Sequence, residues 1–185
     1  MRPDDLGSLL GAAMEGDHPE AALTSLAQRY SYVVPDDRSL ATLAGLAPLV
    51  EIGAGTGYWA FRLRALGVDI IAIDQAPPGG ARVNRYHATT QTWTDVIPGD
   101  QTLLTEFSDR SLFLCWPPLF SSLGDCLSYY RGNIVAVIGD GGHRTARLHD
   151  LNDTFTRVAV SPVRALEPSP ERAPTLSIWR RLGTG

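Results

Sequence analysis

The sequence predicts an α/β domain, and three observations predict it. Short buried β-branched runs alternate with stretches of helical period through the middle of the chain. A turn with three glycines in five positions, Gly53 to Gly57, follows the first of those runs. After residue 150 the alternation stops, and two longer extended runs joined by a proline-rich loop close the sequence. Alternating strands and helices followed by a terminal strand pair argue for a single α/β domain.

Each element has its own signal. Residues 1–30 read as one or two helices: Asp17 and Glu20 form a capping-box-like pair around Pro19, and Leu23, Leu26, Ala27 and Tyr30 recur on one face. Pro35-Asp36-Asp37 opens another helix, which Pro48 stops. Leu49 to Ile52 reads as a buried strand, Tyr58 to Leu66 as a helix, and Val68 to Ile73 as a second strand closed by Asp74. Residues 75–92 are rich in Pro, Gly and Thr and read as loop. A short strand at Thr94–Ile97 and a short helix through Leu104 and Phe107 follow. Leu112 to Trp116 is the fourth strand, broken by Pro117-Pro118. Phe120, Leu123, Leu127 and Tyr130 mark a helix, and Ile134 to Ile138 the fifth strand. Phe155–Leu166 and Thr175–Arg181 are the closing pair, expected antiparallel at the sheet edge.

The totals limit the function. A chain of 185 residues supports one real core, expected as one domain over 1–185 with a helical cap (1–30) and a core (31–185). A net charge of −4 and a pI near 5.5, with no Lys/Arg tract, do not favour a polyanion partner. No apolar run approaches the ~20 residues that span a membrane. The four histidines lack any ligand spacing, so no metal is expected. Cys115 and Cys126 read as plain thiols, and with no signal peptide the expected compartment is the cytoplasm.

The glycine turn, Glu51-Ile52-Gly53-Ala54-Gly55-Thr56-Gly57, lies between a strand and a helix. Such a turn lets backbone approach a ligand closely, and the helix N-terminus behind it favours an anionic group. Two features sharpen the reading. Tyr58 stands where a dinucleotide G-x-G-x-x-G would have its last glycine, and Asp74 at the tip of the next strand can take both hydroxyls of a ribose.

With those residues in order, the sequence resembles the class I S-adenosylmethionine-dependent methyltransferases. The resemblance rests on Val50 to Gly57, Ile70 to Asp74, Gly99-Asp100 and Leu112 to Pro118, and it covers most of residues 30–182. It implies a Rossmann-like three-layer sandwich with a seven-stranded, mostly parallel sheet whose last strand is antiparallel. It also implies S-adenosylmethionine as cofactor. The turn residues Gly53, Ala54, Gly55 and Gly57 would approach the methionine part, with Glu51 positioning its amino end. Asp74 would bind the ribose, Gln75 would lie beside the adenine, and Asp100 would accept from the adenine amino group. Tyr32 would cover the cofactor, and Cys115 joins the cofactor-binding set at the end of the fourth strand.

The acceptor is expected beyond the carboxyl ends of the strands. Cys115-Trp116-Pro117-Pro118-Leu119-Phe120 is similar to the D/N/S-P-P-Y/F/W motif of amino-methylating enzymes, with Trp116 in place of the polar residue. An indole N–H donates but does not accept, so it cannot take a proton from an amine. Asp140 and His143 after the fifth strand are the candidate base and its orienter. The sequence therefore points to a methyltransferase acting on a small metabolite or peptide. A nucleic-acid methyltransferase with an arginine face (Arg82, Arg85, Arg131, Arg144) and a non-catalytic cofactor-binding module stay open beside it. The sequence assigns neither the acceptor atom nor the oligomeric state.

Overall fold

The computed structural model describes residues 5–82, 84, 86–87, 91–118, 123–141, 145, 147–166 and 173–183. Two helices, α1 (Asp5–Glu15) and α2 (Pro19–Arg29), precede a short strand β1 (Val33–Val34). Then come α3 (Asp37–Ala44), β2 (Leu49–Ile52), α4 (Tyr58–Ala65) and β3 (Ile70–Asp74). After the long loop follow β4 (Ile97–Pro98), a 3₁₀ turn (Gln101–Glu106), β5 (Ser111–Cys115), α5 (Leu123–Tyr129) and β6 (Ile134–Gly139). A second 3₁₀ turn (Leu148–Leu151) leads to β7 (Phe155–Pro162), β8 (Arg164–Ala165) and β9 (Thr175–Arg181).

Seven strands form one sheet in the order β4-β3-β2-β5-β6-β9-β7. The first five in that order are parallel, and β9 runs antiparallel to both of its neighbours. The expected seven-stranded sheet with one antiparallel strand is therefore present. The closing pair is antiparallel at the sheet edge as expected, and within it β9 enters between β6 and β7, so the last strand is interior and β7 is the edge. Its sequence explains the order. Leu176, Ser177, Ile178 and Trp179 are all buried, as a strand covered on both faces requires, whereas the middle of β7 is exposed.

Helices cover both faces. Ala136 and Ile138 of β6 join Leu40, Leu43, Trp59 and Leu63 from α3 and α4 in one core cluster. Val135 and Val137 face the other way, toward Leu104, Leu123, Tyr130 and Leu151. This period-2 division explains why the parallel strands read as continuous apolar runs. A third cluster joins α1 and α2 to Tyr58 through Leu10, Leu23, Ala27 and Tyr30.

Two local features depart from the sequence expectation. The capping pair of Asp17 and Glu20 does not form, because Pro19 at the first helical position makes His18 the N-cap. The capping box forms at α3 instead: Ser39 N donates to Asp36 Oδ1 at 2.7 Å, and Asp36 N donates to Ser39 Oγ at 3.2 Å. In addition, residues 164–165 leave the long terminal strand to pair with β1, tying Val33 to Ala165 outside the main sheet.

Candidate active site

Strand β2 connects to β3 on one side of the sheet, while β5 lies on its other side. The chain thus reverses direction of travel between β2 and β5, and open α/β sheets bind ligands outside the carboxyl ends of the strands at such a point. A cavity of about 830 Å³ lies there. Its walls include Glu51, Gly53, Ala54, Asp74, Gln75, Asp100, Cys115 and Trp116, together with Tyr32. The structure therefore brings together nine of the residues singled out in the sequence.

The glycine turn is braced from behind. Gly53 N and Ala54 N donate to the Ile73 carbonyl at 2.9 and 3.0 Å. Gly55 N donates to Asp74 Oδ2 at 2.7 Å, and Ala76 N donates to Asp74 Oδ1 at 2.8 Å. Asp74 thus fixes the turn as well as lining the cavity, and each carboxylate oxygen keeps acceptor capacity for a ligand.

All three glycines have positive φ, but for different neighbours. A Cβ built on Gly53 meets nothing within 4 Å, so this backbone faces open space. A Cβ on Gly55 would collide with the His87 ring, and one on Gly57 would lie 2.7 Å from Val96 Cγ2. Only Gly53 offers its backbone to open space. Gly55 and Gly57 are small so that the returning loop can pack against them.

That loop closes one side of the cavity, and its role was not legible in the sequence. His87 Nδ1 lies 3.0 Å from the Gln28 carbonyl, and Tyr32 donates its hydroxyl to the Tyr86 carbonyl at 2.9 Å. Trp93 Nε1 donates to the Arg29 carbonyl, and the ring stacks on Tyr30 with 4.8 Å between centroids. Burial lowers the His87 pKa below its usual value; the Gln28 carbonyl and the Asp74 charge oppose that shift. Tyr58, whose bulk spoke against a dinucleotide turn, is fully buried against Tyr30 and Trp93.

Glu51 is the electrostatic centre of the site. It is 1% exposed, and its Oε2 has no hydrogen-bond partner among the described residues. Burial, reinforced by the neighbouring Asp74 charge and opposed by Arg64, pushes its carboxyl up to about 8. Arg64 does not neutralise it by contact. The guanidinium is spent on the Ile70 carbonyl, Thr94 Oγ1 and the Asp95 carbonyl. Cys115 sits close enough for Glu51 to act on it: burial first, then the Glu51 charge, hold its thiol well above the usual range. Cys115 is therefore a neutral wall, not a nucleophile.

Asp100 caps the first 3₁₀ turn. Thr102 N and Thr102 Oγ1 donate to its Oδ1 at 3.0 and 2.6 Å, and these bonds hold its carboxyl below the usual range. Gln75 is exposed at the rim.

The acceptor half is built differently. Trp116 has φ of 56°, the only positive value at a described non-glycine residue, and its N–H donates to the Ile138 carbonyl at 2.8 Å. This left-handed backbone, in a residue other than glycine, ends the strand in a sharp bend. Asp140 does not line the cavity. It is 3% exposed, and its Oδ1 accepts from Thr145 N at 3.0 Å and Thr145 Oγ1 at 2.8 Å. Thr145 in turn bridges to Pro118. Through Oδ1, Asp140 thus ties the β6 loop to the Pro117-Pro118 wall. Its expected companion His143, with Leu119 and Phe120, lies outside the described residues.

The arginine face is not assembled by the two of its members that are described. Arg82 is close enough to act on Asp100 at the carboxyl end of the sheet, whereas Arg131 precedes β6 at the opposite end and donates to the Ser128 carbonyl. Arg85 and Arg144 lie outside the described residues. No helix among the described residues is long and apolar enough to cross a membrane.

The structure resembles solved proteins across nearly its whole length. It matches MtNAS in complex with MTA and tNA at a TM-score of 0.51 and 14% identity, over 95% of this chain and 69% of that one. It matches a mutant of MtNAS in complex with S-adenosylmethionine at 0.51 and 14%, over 96% and 72%. A protein solved in work on conversion of a disulfide bond into a thioacetal group during echinomycin biosynthesis matches at 0.51 and 14%, over 82% and 84%. The fold is Rossmann-like α/β, with a seven-stranded, mostly parallel sheet. No family model and no curated protein matches the chain. The likeness is one of fold, and open α/β sheets take ligands at a reversal of the kind found between β2 and β5.

Proposed function

We propose that this protein binds S-adenosylmethionine in the cavity between β2 and β5 and transfers its methyl group to a small-molecule acceptor. The observation that carries the reading is Glu51. A buried carboxylate without a partner is costly unless a ligand supplies one, and a cationic ammonium at the mouth of β2 is the partner this position lacks. A fold neighbour, MtNAS, holds S-adenosylmethionine, which carries that group.

The residues present fit the cofactor. Gly53 offers close backbone approach, and Glu51 holds the ammonium. Asp74, already fixed by Gly55 and Ala76, accepts from the ribose hydroxyls. Asp100 accepts from the adenine amino group through Oδ2, since both Thr102 bonds go to Oδ1, and Gln75 flanks the base. When bound, the cofactor supplies a methyl group on an already activated sulfonium. Tyr32, Tyr86 and Trp116 then provide an aromatic wall that positions the acceptor and excludes water, and positioning alone supplies a large share of such a rate. The described lining residues include no arginine or lysine, so among them no cation meets a phosphate backbone. This favours a metabolite or peptide acceptor over nucleic acid.

One observation favours a second reading, a cofactor-binding module without turnover: the Asp140 carboxylate is consumed in bracing a loop. Calorimetric titration with S-adenosylmethionine, S-adenosylhomocysteine and NADH separates these ideas. Micromolar binding of the two sulfur ligands and none of NADH is expected, weakening at least tenfold (about 1.4 kcal/mol) in Asp74→Ala. If neither sulfur ligand binds, the cofactor assignment fails. If both bind and no acceptor yields S-adenosylhomocysteine, the binding module is the correct reading.

A further inference from the structure

We propose that the cavity takes up its cationic ligand in exchange for a proton: Glu51 is neutral in the ligand-free protein and releases its proton to solvent as the ligand's ammonium group arrives. The inference rests on the cofactor reading above and adds a regulation of the same site.

The geometry is the first support. Glu51 lies in β2, in register with Ala72 of β3 and Phe113 of β5, at the centre of the sheet. Strand alternation places it on the face it shares with Leu49, the face covered by α3 and α4. The side chain is 1% exposed at the wall of the cavity, and Oε2 finds no donor among the described residues. An ionised carboxylate in such a place loses its hydration and gains nothing in return, whereas a protonated one carries no charge to desolvate.

The neighbouring groups point the same way. On β3, Asp74 adds a like charge; its own oxygens are tied to Gly55 N and Ala76 N. On α4, Arg64 is the one opposing charge, and it is bound to backbone and Thr94 rather than to Glu51. On β5, Cys115 is held neutral and offers no counter-charge. In the loop over the turn, His87 is pushed toward its neutral form by burial. The net result is a Glu51 carboxyl that titrates near 8, so at neutral pH the empty site carries a proton there.

An arriving ammonium reverses the balance. It supplies the missing charge and donor, and the carboxylate form becomes the favoured one. The ligand's α-amino group is protonated throughout the neutral range, so there the free partners together hold two protons and the bound pair one. Affinity must then rise by about tenfold per pH unit between pH 6 and 7 and flatten as pH passes the Glu51 titration near 8.

The test is calorimetry with S-adenosylhomocysteine at pH 7 in phosphate and in Tris, whose ionisation heats differ, on wild type and Glu51→Gln. The expected result is release of roughly one proton per ligand from wild type and none from the variant. His87→Asn is the companion variant, and it retains the release. A carboxylic-acid infrared band in the ligand-free wild type that vanishes on binding is the matching readout, and it does not depend on the variant folding. Binding without buffer-dependent heat, or with equal release from Glu51→Gln, overturns the proposal and leaves the cofactor assignment standing. Absence of binding at every pH overturns both.

Discussion

The two halves of the sheet treat their buried carboxylates in opposite ways. In the β2–β3 half, Glu51 is left without a partner and Asp74 keeps acceptor capacity toward the cavity. In the β5–β6 half, Asp140 is equally buried, but Thr145 saturates one of its oxygens and the pair braces Pro118. The first half carries an electrostatic cost that a ligand relieves. The second spends its polar groups on holding an aromatic and proline wall in shape. A buried acid is therefore a ligand site only where its hydrogen bonds are unmet, and burial alone does not distinguish the two cases.

Four experiments break or sharpen that contrast. The largest loss of stability is expected at the turn. Gly55→Ala places a side chain at φ of +54° and into the His87 ring, costing about 2–4 kcal/mol from left-handed strain and overpacking together. Urea melts should show that loss, and adding His87→Ala should recover the packing part but not the strain. A Gly55→Ala protein as stable as wild type would mean that His87 does not rest on the turn.

Next comes Glu51→Gln, which should stabilise the ligand-free protein while weakening the cofactor. The sign follows from linkage. The Glu51 pKa is about 8 folded against 4.5 for the ordinary group. Stability from this group is full below the lower value and falls as pH rises toward the upper one. At pH 7.5 the variant should be more stable by on the order of 4 kcal/mol, read as a higher Tm whose advantage shrinks toward pH 5. A less stable variant at pH 7.5 would show that Glu51 is not strained in the empty site.

Thr145→Val should have the reverse profile. It strands the Asp140 carboxylate and costs about 1–3 kcal/mol, while affinity for S-adenosylhomocysteine stays within a factor of two or so of wild type. A large loss of cofactor affinity would join the two halves into one unit. The smallest stability effect is expected at Trp116. Trp116→Gly removes left-handed strain worth about 1 kcal/mol and also removes an aromatic wall. Cofactor binding should persist while any turnover falls, and a loss of cofactor binding instead would place the indole against the cofactor.

Much of the β2–β3 half was legible in the chain itself, because its signals are local. Leu49–Ile52 and Thr175–Arg181 have the boundaries their apolar runs suggest, and Gly53, Ala54, Asp74 and Asp100 all reach one cavity, while Gly55 and Gly57 of the same turn pack under the loop instead. The capping box was misplaced by one helix, since Pro19 sets its own N-cap. The bond between Asp140 and Thr145, five residues on, was not legible in the sequence.

What the sequence by itself determined is the order of strands and helices, the cofactor turn and the acids at the strand tips, because periodicity and turn chemistry act over a few residues. Only the tertiary structure decided that β9 sits inside the sheet, that His87 and Tyr86 close the cavity against residues 28–32, and that Glu51 has no partner while Asp140 does. Those outcomes depend on which distant groups meet once the sheet is packed, and whether a buried acid is satisfied is set by those neighbours rather than by its own place in the chain.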